Sequence, residues 1–308
     1  MKYKGYKMVF QNGVHFGNNT IEGSEYIFHA DTLFSALCHE AIKNGMDKFE
    51  QLLKFVKNDK LLISDAMPYC GDTLYIPKPM KRIEYEDQGN SSVKKAFKNL
   101  SYIPVDRLNE YLMGKLDVQK ERDRFAKLGI MYSRNMVSIR GKEETEPYRV
   151  GIFQFHHGNG LYIIIGYESD EQQDLMEELL VQLSFAGIGG KRSSGLGRFE
   201  LDSCKLSNDT LRRLEENGNT YITLSIALPQ KEEMENVLEN SSYQLIKRSG
   251  FVASDKYADE YLRKRDIYVM NAGSCFSTKF KGDVFDVSLG GNHPVYRYAK
   301  PFLMEVDL

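Results

Sequence analysis

Residues 187–198 read G-I-G-G-K-R-S-S-G-L-G-R, five glycines among twelve residues with Lys191, Arg192 and Arg198 as the only charges. Glycine admits positive φ and lets a ligand approach the backbone closely. Free N–H groups beside ammonium and guanidinium groups suit phosphate oxygens. Gly189, Gly190, Lys191, Arg192, Ser193, Ser194, Gly195 and Gly197 are therefore candidate contacts for a polyanion. The spacing excludes two nucleotide folds: a dinucleotide fingerprint opens a helix after a strand, and a P-loop needs Gly-Lys-Ser/Thr. Here the loop follows an amphipathic helical stretch and leads into an alternating, strand-like one. A glycine-rich connection without a ligand is the alternative.

The acid–base candidates are His15, His29, His39, His156, His157 and His293. His15 lies in a turn-rich loop, 13–23, beside Phe16 and Gly17, so an imidazole and an aromatic face are expected together there. Such a pair suits a hydrogen bond to RNA or general acid–base cleavage, with loop packing as the plain alternative. His39 falls inside a helical stretch, His156 and His157 at an expected hairpin tip, and His293 before Pro294 in a turn. No H-x-x-x-H, C-x-x-C or G-x-S-x-G occurs, so no metal site and no cofactor is expected. A metal-independent ribonuclease stays open, since it needs only one or two positioned groups near a 2′-hydroxyl. Arg134, Asn135 and Arg140 precede the next strands; Arg binds phosphate or stacks on a base, and Asn reads base edges.

These residues need a scaffold. The 308 residues are 42% hydrophobic, without a signal-peptide core or an apolar run long enough for a membrane span. Cys38, Cys70, Cys204 and Cys275 are scattered, as in reduced cytoplasmic proteins. Net charge is −2, yet residues 78–142 hold fifteen Lys/Arg against eight Asp/Glu. One side should face a polyanion while the rest of the body is acidic.

Period-two and period-3.6 patterns place a strand at 2–11, helices at 31–44 and 49–57, and strands at 61–64 and 69–79. Within the basic insertion, helices are expected at 92–100 and 105–113; 115–127 is charged nearly throughout and is expected to be mobile. Strands at 148–155 and 161–167 are expected to form a hairpin through 156–160, after a short strand at 137–139. A capping box at 169–172 opens a helix carrying Leu175, Met176, Leu179, Leu180 and Leu183. Without the insertion the order is β-α-β…β-α-β. Residues 208–219 read as a polar bridge. A second unit follows, with strands at 221–228, 243–252, 267–270, 284–288 and 296–306 and helices at 231–238 and 255–265. The expectation is an α+β chain of two ferredoxin-like (RRM-like) units, 1–207 and 220–308. The first carries a basic insertion at about 78–142 and the Gly-rich loop at 187–198.

The motifs V-H-F-G (14–17), F-H-A-D-T-L-F-S-A-L (28–37), K-K-A-F-K-N-L-S-Y-I-P (94–104) and N-H-P-V-Y-R-Y-A-K-P-F (292–302), with the Gly-rich loop, span nearly the whole chain. Together they resemble a RAMP-superfamily CRISPR protein, and within it the family of the fourth subunit of type III-A (Csm) effector complexes. That resemblance implies a non-catalytic scaffold holding the 5′ repeat-derived tag of the CRISPR RNA. Its implied partners are the large polymerase-like subunit and the backbone subunit, with target RNA met only indirectly and no membrane. It also implies that the basic insertion at about 78–142 contains an inserted thumb, a β-hairpin, and the N-terminus of the first helix, near Asp31, is expected to adjoin His15 and Phe16 across the sheet edge. An endoribonuclease of the same superfamily and a nucleotide-binding regulatory module are the other readings. Ala299 departs from the glycine expected after Tyr298.

Overall fold

The computed structural model describes residues 1–17, 20–83, 91–138, 146–254 and 256–307, with the backbone alone for 91–94, 138 and 146. Strand β1 (Lys2–Phe10) alternates as its sequence requires, burying Tyr6, Met8 and Phe10. Helix α1 (Ala30–Asn44) buries Leu33, Phe34, Leu37 and Ala41 along one stripe. It meets α2 (Met46–Lys57) at Gly45, whose φ of 129° turns the chain between them. Strands β2 (Leu61–Ile63) and β3 (Met67–Cys70) follow, and β4 (Thr73–Pro77) folds back on β3.

The insertion adds α3 (Ser91–Asn99), β5 (Tyr102–Pro104), α4 (Leu108–Leu112) and α5 (Val118–Phe125). Two ten-residue strands, β6 (Gly129–Ser138) and β7 (Glu146–Phe155), then pair with each other along their full length, and β7 also bridges Val14 through Phe153. Strand β8 (Asn159–Tyr167), helix α6 (Asp170–Ala186) and β9 (Phe199–Cys204) close the N-terminal unit.

Its sheet runs β5-β4-β3-β8-β1-β9, with β2 continuing the line of β3 along β8, and every pair is antiparallel. Helices α1, α2 and α6 cover one face, where Leu33, Leu37, Leu179 and Leu183 meet Met8, Ile163 and Ile165. On the other face, Met67, Tyr162 and Ile164 are covered by the insertion helices and by Leu224, Phe302 and Met304 of the C-terminal unit.

That unit comprises α7 (Asn208–Glu215), β10 (Tyr221–Thr223), α8 (Met234–Leu238), β11 (Leu245–Arg248), β12 (Ile267–Met270), β13 (Cys275–Phe276), β14 (Asp283–Asp286), β15 (Tyr296–Ala299) and β16 (Leu303–Glu305). Strand β10 lies between β13 and β16; β11 pairs with β12, and β14 with β15. A bridge from Ala227 to Met270 and a bond from Leu228 N to Ala299 O carry the β10 line past its three ladder residues.

The structure corrects several expectations. The hairpin through 156–160 does not form: β7 pairs with β6, and the turn passes the chain into the main sheet. The expected strand at 69–79 is the β3–β4 hairpin, turned at Gly71 with φ 59°. The helix expected at 105–113 shrinks to one 3₁₀ turn and α4. The charged segment 115–127 is not loose chain but holds helix α5, where Asp117 Oδ1 caps the Lys120 N–H at 3.1 Å. It is pinned by buried Leu116 and Val118, and by Glu121, whose Oε1 accepts from Arg107 Nη1 at 2.5 Å. The polar bridge at 208–219 contains α7, held to β16 by the buried Arg213–Glu305 pair. No helix forms among the described residues of 255–265, so α8 is the one helix lying among the C-terminal strands there. Ala299 ends β15 as a buried strand residue, not a turn.

Candidate nucleic-acid interface

The Gly-rich loop leaves α6 at Gly187 and holds its shape through positive φ at Gly187, Gly189, Lys191, Gly195 and Gly197. Two of these glycines are required by close approach. A Cβ on Gly189 would lie 2.7 Å from His15 O, and one on Gly197 would lie 2.0 Å from Ile188 O. The loop is thereby laid against the segment after β1: Gly190 N donates to His15 O at 2.8 Å and Gly197 N to Gly13 O at 3.1 Å. Arg192, Ser193 and Ser194 form a 3₁₀ turn with their side chains exposed.

His15 is 8% exposed, and its Nδ1–H donates to Gly151 O at 2.7 Å, which fixes the ring and leaves Nε2 outside that bond. Nε2 faces the gap between Gly17 and Gly190. The aromatic face expected beside it is absent from the surface. Phe16 is 5% exposed and its ring packs edge-on to Phe10 and Phe28 in the core. Its backbone is committed as well, the N–H donating to Ser24 Oγ at 2.9 Å and the carbonyl accepting from Glu25 N at 2.7 Å.

The loop also grips the β6–β7 ribbon. Leu196 packs on Val150 and Ile152, and Lys191 Nζ donates to Tyr148 Oη at 3.0 Å while lying over the Tyr148 ring. Register decides which of the ribbon's candidates share that side. Arg134 lies opposite Val150, so its side chain leaves the ribbon on the face that meets the Gly-rich loop. Asn135 lies opposite Arg149 and leaves from the reverse face. Arg140 lies outside the described residues.

Asp31 is not a surface group. Its carboxylate takes Arg248 Nε at 3.0 Å, Arg248 Nη2 at 2.8 Å and Arg297 Nη1 at 2.5 Å. Burial opposes its ionisation, but the Arg248 guanidinium, then Arg297 and His29, outweigh burial and hold the carboxyl far below the usual carboxylate range. Arg297, crowded by burial and by Arg248, is held below the usual guanidinium range even with Asp31 beside it. Asp31 thus clamps the C-terminal unit to the first turn of α1, and RNA has no access to its oxygens. The N-terminal N–H of α1 is served instead by Asp65, at the break between β2 and β3. Asp65 Oδ1 accepts from Ala30 N at 2.7 Å and Ile226 N at 3.1 Å, and His29 Nδ1 lies 2.6 Å from Oδ2.

These parts frame a cleft of about 610 Å³ between the two units. His15, Gly17, Gly189 and Gly190 form one side, Tyr26 and Tyr102 the floor, and Lys247, Arg248 and Asn271 the other side. Tyr26, Tyr102, Lys247 and Asn271 escaped sequence reasoning because only the packing of β11 and β12 against the first unit assembles them. Among the described residues no group of His, Cys, Asp and Glu converges as metal ligands, and no helix is long and apolar enough to cross a membrane.

An antiparallel sheet backed by α1, α2 and α6, a glycine-rich loop closing onto the segment after its first strand and a long paired ribbon make up a RAMP-like fold. The fold is shared with a chain of the crystallised Csm3-Csm4 subcomplex of a type III-A CRISPR-Cas interference complex: TM-score 0.67, 20% identity, 98% of both chains. A chain of a Csm1-Csm4 cassette crystallised with pppApA gives a TM-score of 0.65 at 18% identity, over 99% of this chain and 98% of that one. In sequence, the CRISPR system protein Csm4 of Mycobacterium tuberculosis is 39% identical over 94% of this chain and 93% of its own. That of Streptococcus thermophilus is 34% identical over the full length of both. A family model described as the CRISPR Csm4 C-terminal domain matches residues 216–306. The chain belongs to the Csm4 family.

Proposed function

We propose that this chain is a non-catalytic subunit of a type III-A effector complex, holding the 5′ repeat-derived tag of the CRISPR RNA and bridging the large subunit to the backbone subunits. The reading includes two ferredoxin-like units, 1–207 and 220–308, supported in the first by the spatial order β9-β1-β8-β2/β3 of a β-α-β-β-α-β chain. It assigns the thumb to the β6–β7 ribbon, extending the basic insertion beyond residue 142. Solved assemblies of relatives that pair Csm4 with Csm3 and with Csm1 support the bridging role.

The single observation carrying the RNA reading is the docking of the Gly-rich loop on both the His15 segment and the ribbon, with Arg192, Ser193 and Ser194 left exposed. A single strand is held by phosphate contacts and by bases laid on planar groups. The loop offers N–H groups and cations for the first need, and Tyr26 and Tyr102 line the cleft for the second.

The test is binding of 5′-tagged RNA across a salt series in EDTA, with a repeat-containing precursor as second substrate. Replacing Lys191 and Arg192 with Ala should weaken tag binding and flatten the log–log salt slope by about 1.4, two phosphate contacts on a single strand. An unchanged slope removes the loop from the RNA path. Cleavage of the precursor, lost in His15→Ala, would replace the scaffold reading with the ribonuclease one.

A further inference from the structure

The cleft between the units contains two imidazoles held in the same manner, each with the same atom unspent. His15 Nδ1–H is fixed on Gly151 O at 2.7 Å, and Gly151 N is itself tied to Ile21 O at 2.9 Å. His29 Nδ1 lies 2.6 Å from Oδ2 of Asp65, whose side chain is 2% exposed. Asp65 is locked in turn, because its Oδ1 accepts from Ala30 N and Ile226 N. Both rings line the cleft, His15 against Gly190 and His29 just ahead of the first turn of α1. Among the described residues neither Nε2 has a hydrogen-bond partner.

What such a nitrogen binds follows from its two states. A neutral ring accepts at Nε2, and a charged ring donates there. A phosphate or base carbonyl oxygen only accepts, so it suits the charged ring alone. A base amino group only donates, so it suits the neutral ring alone. A hydroxyl donates to the first and accepts from the second, and fits both. On a strand of RNA the group with that property is the ribose 2′-hydroxyl.

The placing of the rings favours the same partner. The phosphates have other hosts, the N–H groups of the Gly-rich loop and its exposed Arg192. The imidazoles are recessed, His15 at 8% exposure and the His29 side chain at 18%. Covering a recessed nitrogen without giving it a partner is unfavourable, so a strand filling the cleft is selected for what it brings to these two atoms. The rings are already fixed, so binding does not have to order them.

We propose that His15 and His29 each hold a ribose 2′-hydroxyl through Nε2, and that the pair makes the cleft select RNA over DNA of the same sequence. His29 is thereby a binding residue, and Asp65 is its positioning residue. The inference rests on the reading of this chain as the holder of the CRISPR RNA tag. There it answers a need. A tag copied from a repeat differs from one strand of the repeat DNA only in its sugars and in the thymine methyl group, and the sugar is what the two rings read.

The test measures dissociation constants of the full chain for 5′-tagged RNA and for a series in which one tag nucleotide at a time is 2′-deoxy, a change that leaves the protein untouched. Two positions should each lose about three- to tenfold in affinity, the net worth of one hydrogen bond. In His29→Asn, whose amide still reaches Asp65 but not the cleft, one of the two penalties should vanish; in His15→Asn the other should. His29→Gln returns a polar group to the place of Nε2 and should restore the first. Tight binding of the RNA with no position-specific loss overturns the proposal and leaves the tag-binding reading standing. Penalties that persist in both Asn variants also overturn it. So does a variant that weakens ribo and deoxy tags alike and lowers the salt slope, which would assign its ring to a phosphate. If the unmodified chain binds no tagged RNA at all, the tag-binding reading falls and this inference with it.

Discussion

The two openings of the seam use helix α1 in opposite ways. At its first turn the helix faces a polar cleft with one glycine-rich side, where Gly17, Gly189 and Gly190 leave room beside His15. Two turns later it faces a pocket of about 540 Å³ walled by Ile42, Phe49, Val252 and Val295, where the charged side chains among the described lining residues are basic. Backbone and glycine recognise what every RNA strand shares, a phosphodiester chain; shaped side chains recognise one partner. Between the two sits the Asp31 clamp, which keeps both openings in register by fixing one unit on the other.

Removing the clamp is the largest perturbation available. Asp31→Asn keeps the shape but leaves the buried Arg297 and the half-buried Arg248 without their anion, and should cost about 3 to 5 kcal/mol in urea unfolding. The pH dependence has a definite sign. Because the folded carboxyl titrates below its ordinary 3.8, the wild-type chain gains stability from Asp31 above that pH and loses it as pH falls below. The Asn variant should lack this contribution, so the stability gap between the two proteins should narrow as the pH drops from 5 to 3. A constant gap would mean that the two arginines are not held by the Asp31 charge.

Neither the clamp nor the second opening was legible in the sequence. Asp31 reads locally as an acid at a helix N-terminus, while its partners lie 217 and 266 residues away. Elements with an apolar stripe were visible, because α1, α6, β1 and β8 each bury a face against one core. Those stabilised otherwise were not. Helix α5 has almost no stripe and depends on Leu116, Val118 and the buried Arg107–Glu121 pair. Strand β6 exposes Ile130, Met131 and Tyr132 in succession, so no alternation betrays it, and its true partner β7 was assigned to β8. The Gly-rich loop and His15 were legible as types and spacing; that Phe16 turns inward was not, since an aromatic in a loop reads alike whether it faces water or Phe28.

The cleft's dependence on backbone can be separated from loop flexibility by two alanines of the same loop. Gly189→Ala meets both a φ of 95° and His15 O, and should cost about 2 to 4 kcal/mol while displacing the loop from the His15 segment. Gly195→Ala has a similar φ, 82°, but open space around its Cβ, and should cost only about 1 to 2 kcal/mol. Thermal unfolding gives the order, and tag-RNA affinity should fall for the first variant far more than for the second. Equal RNA losses would mean that the loop acts through its own conformation and not through its seat on His15.

The smallest effect lies on the ribbon, where neighbouring residues leave opposite faces. Arg134 stands across from Val150, which packs on Leu196 of the Gly-rich loop, so a strand of RNA crossing that loop passes on its side. Asn135 stands across from Arg149 on the reverse face. Both are exposed, and neither truncation should change stability by more than about 0.5 kcal/mol. Arg134→Ala should therefore weaken tag-RNA binding about tenfold and lower the salt slope by about 0.7, one phosphate contact on a single strand. Asn135→Ala should leave both unchanged. The reverse result would place the RNA on the Arg149 face of the ribbon, away from the loop, and would separate the ribbon from the cleft it is packed against.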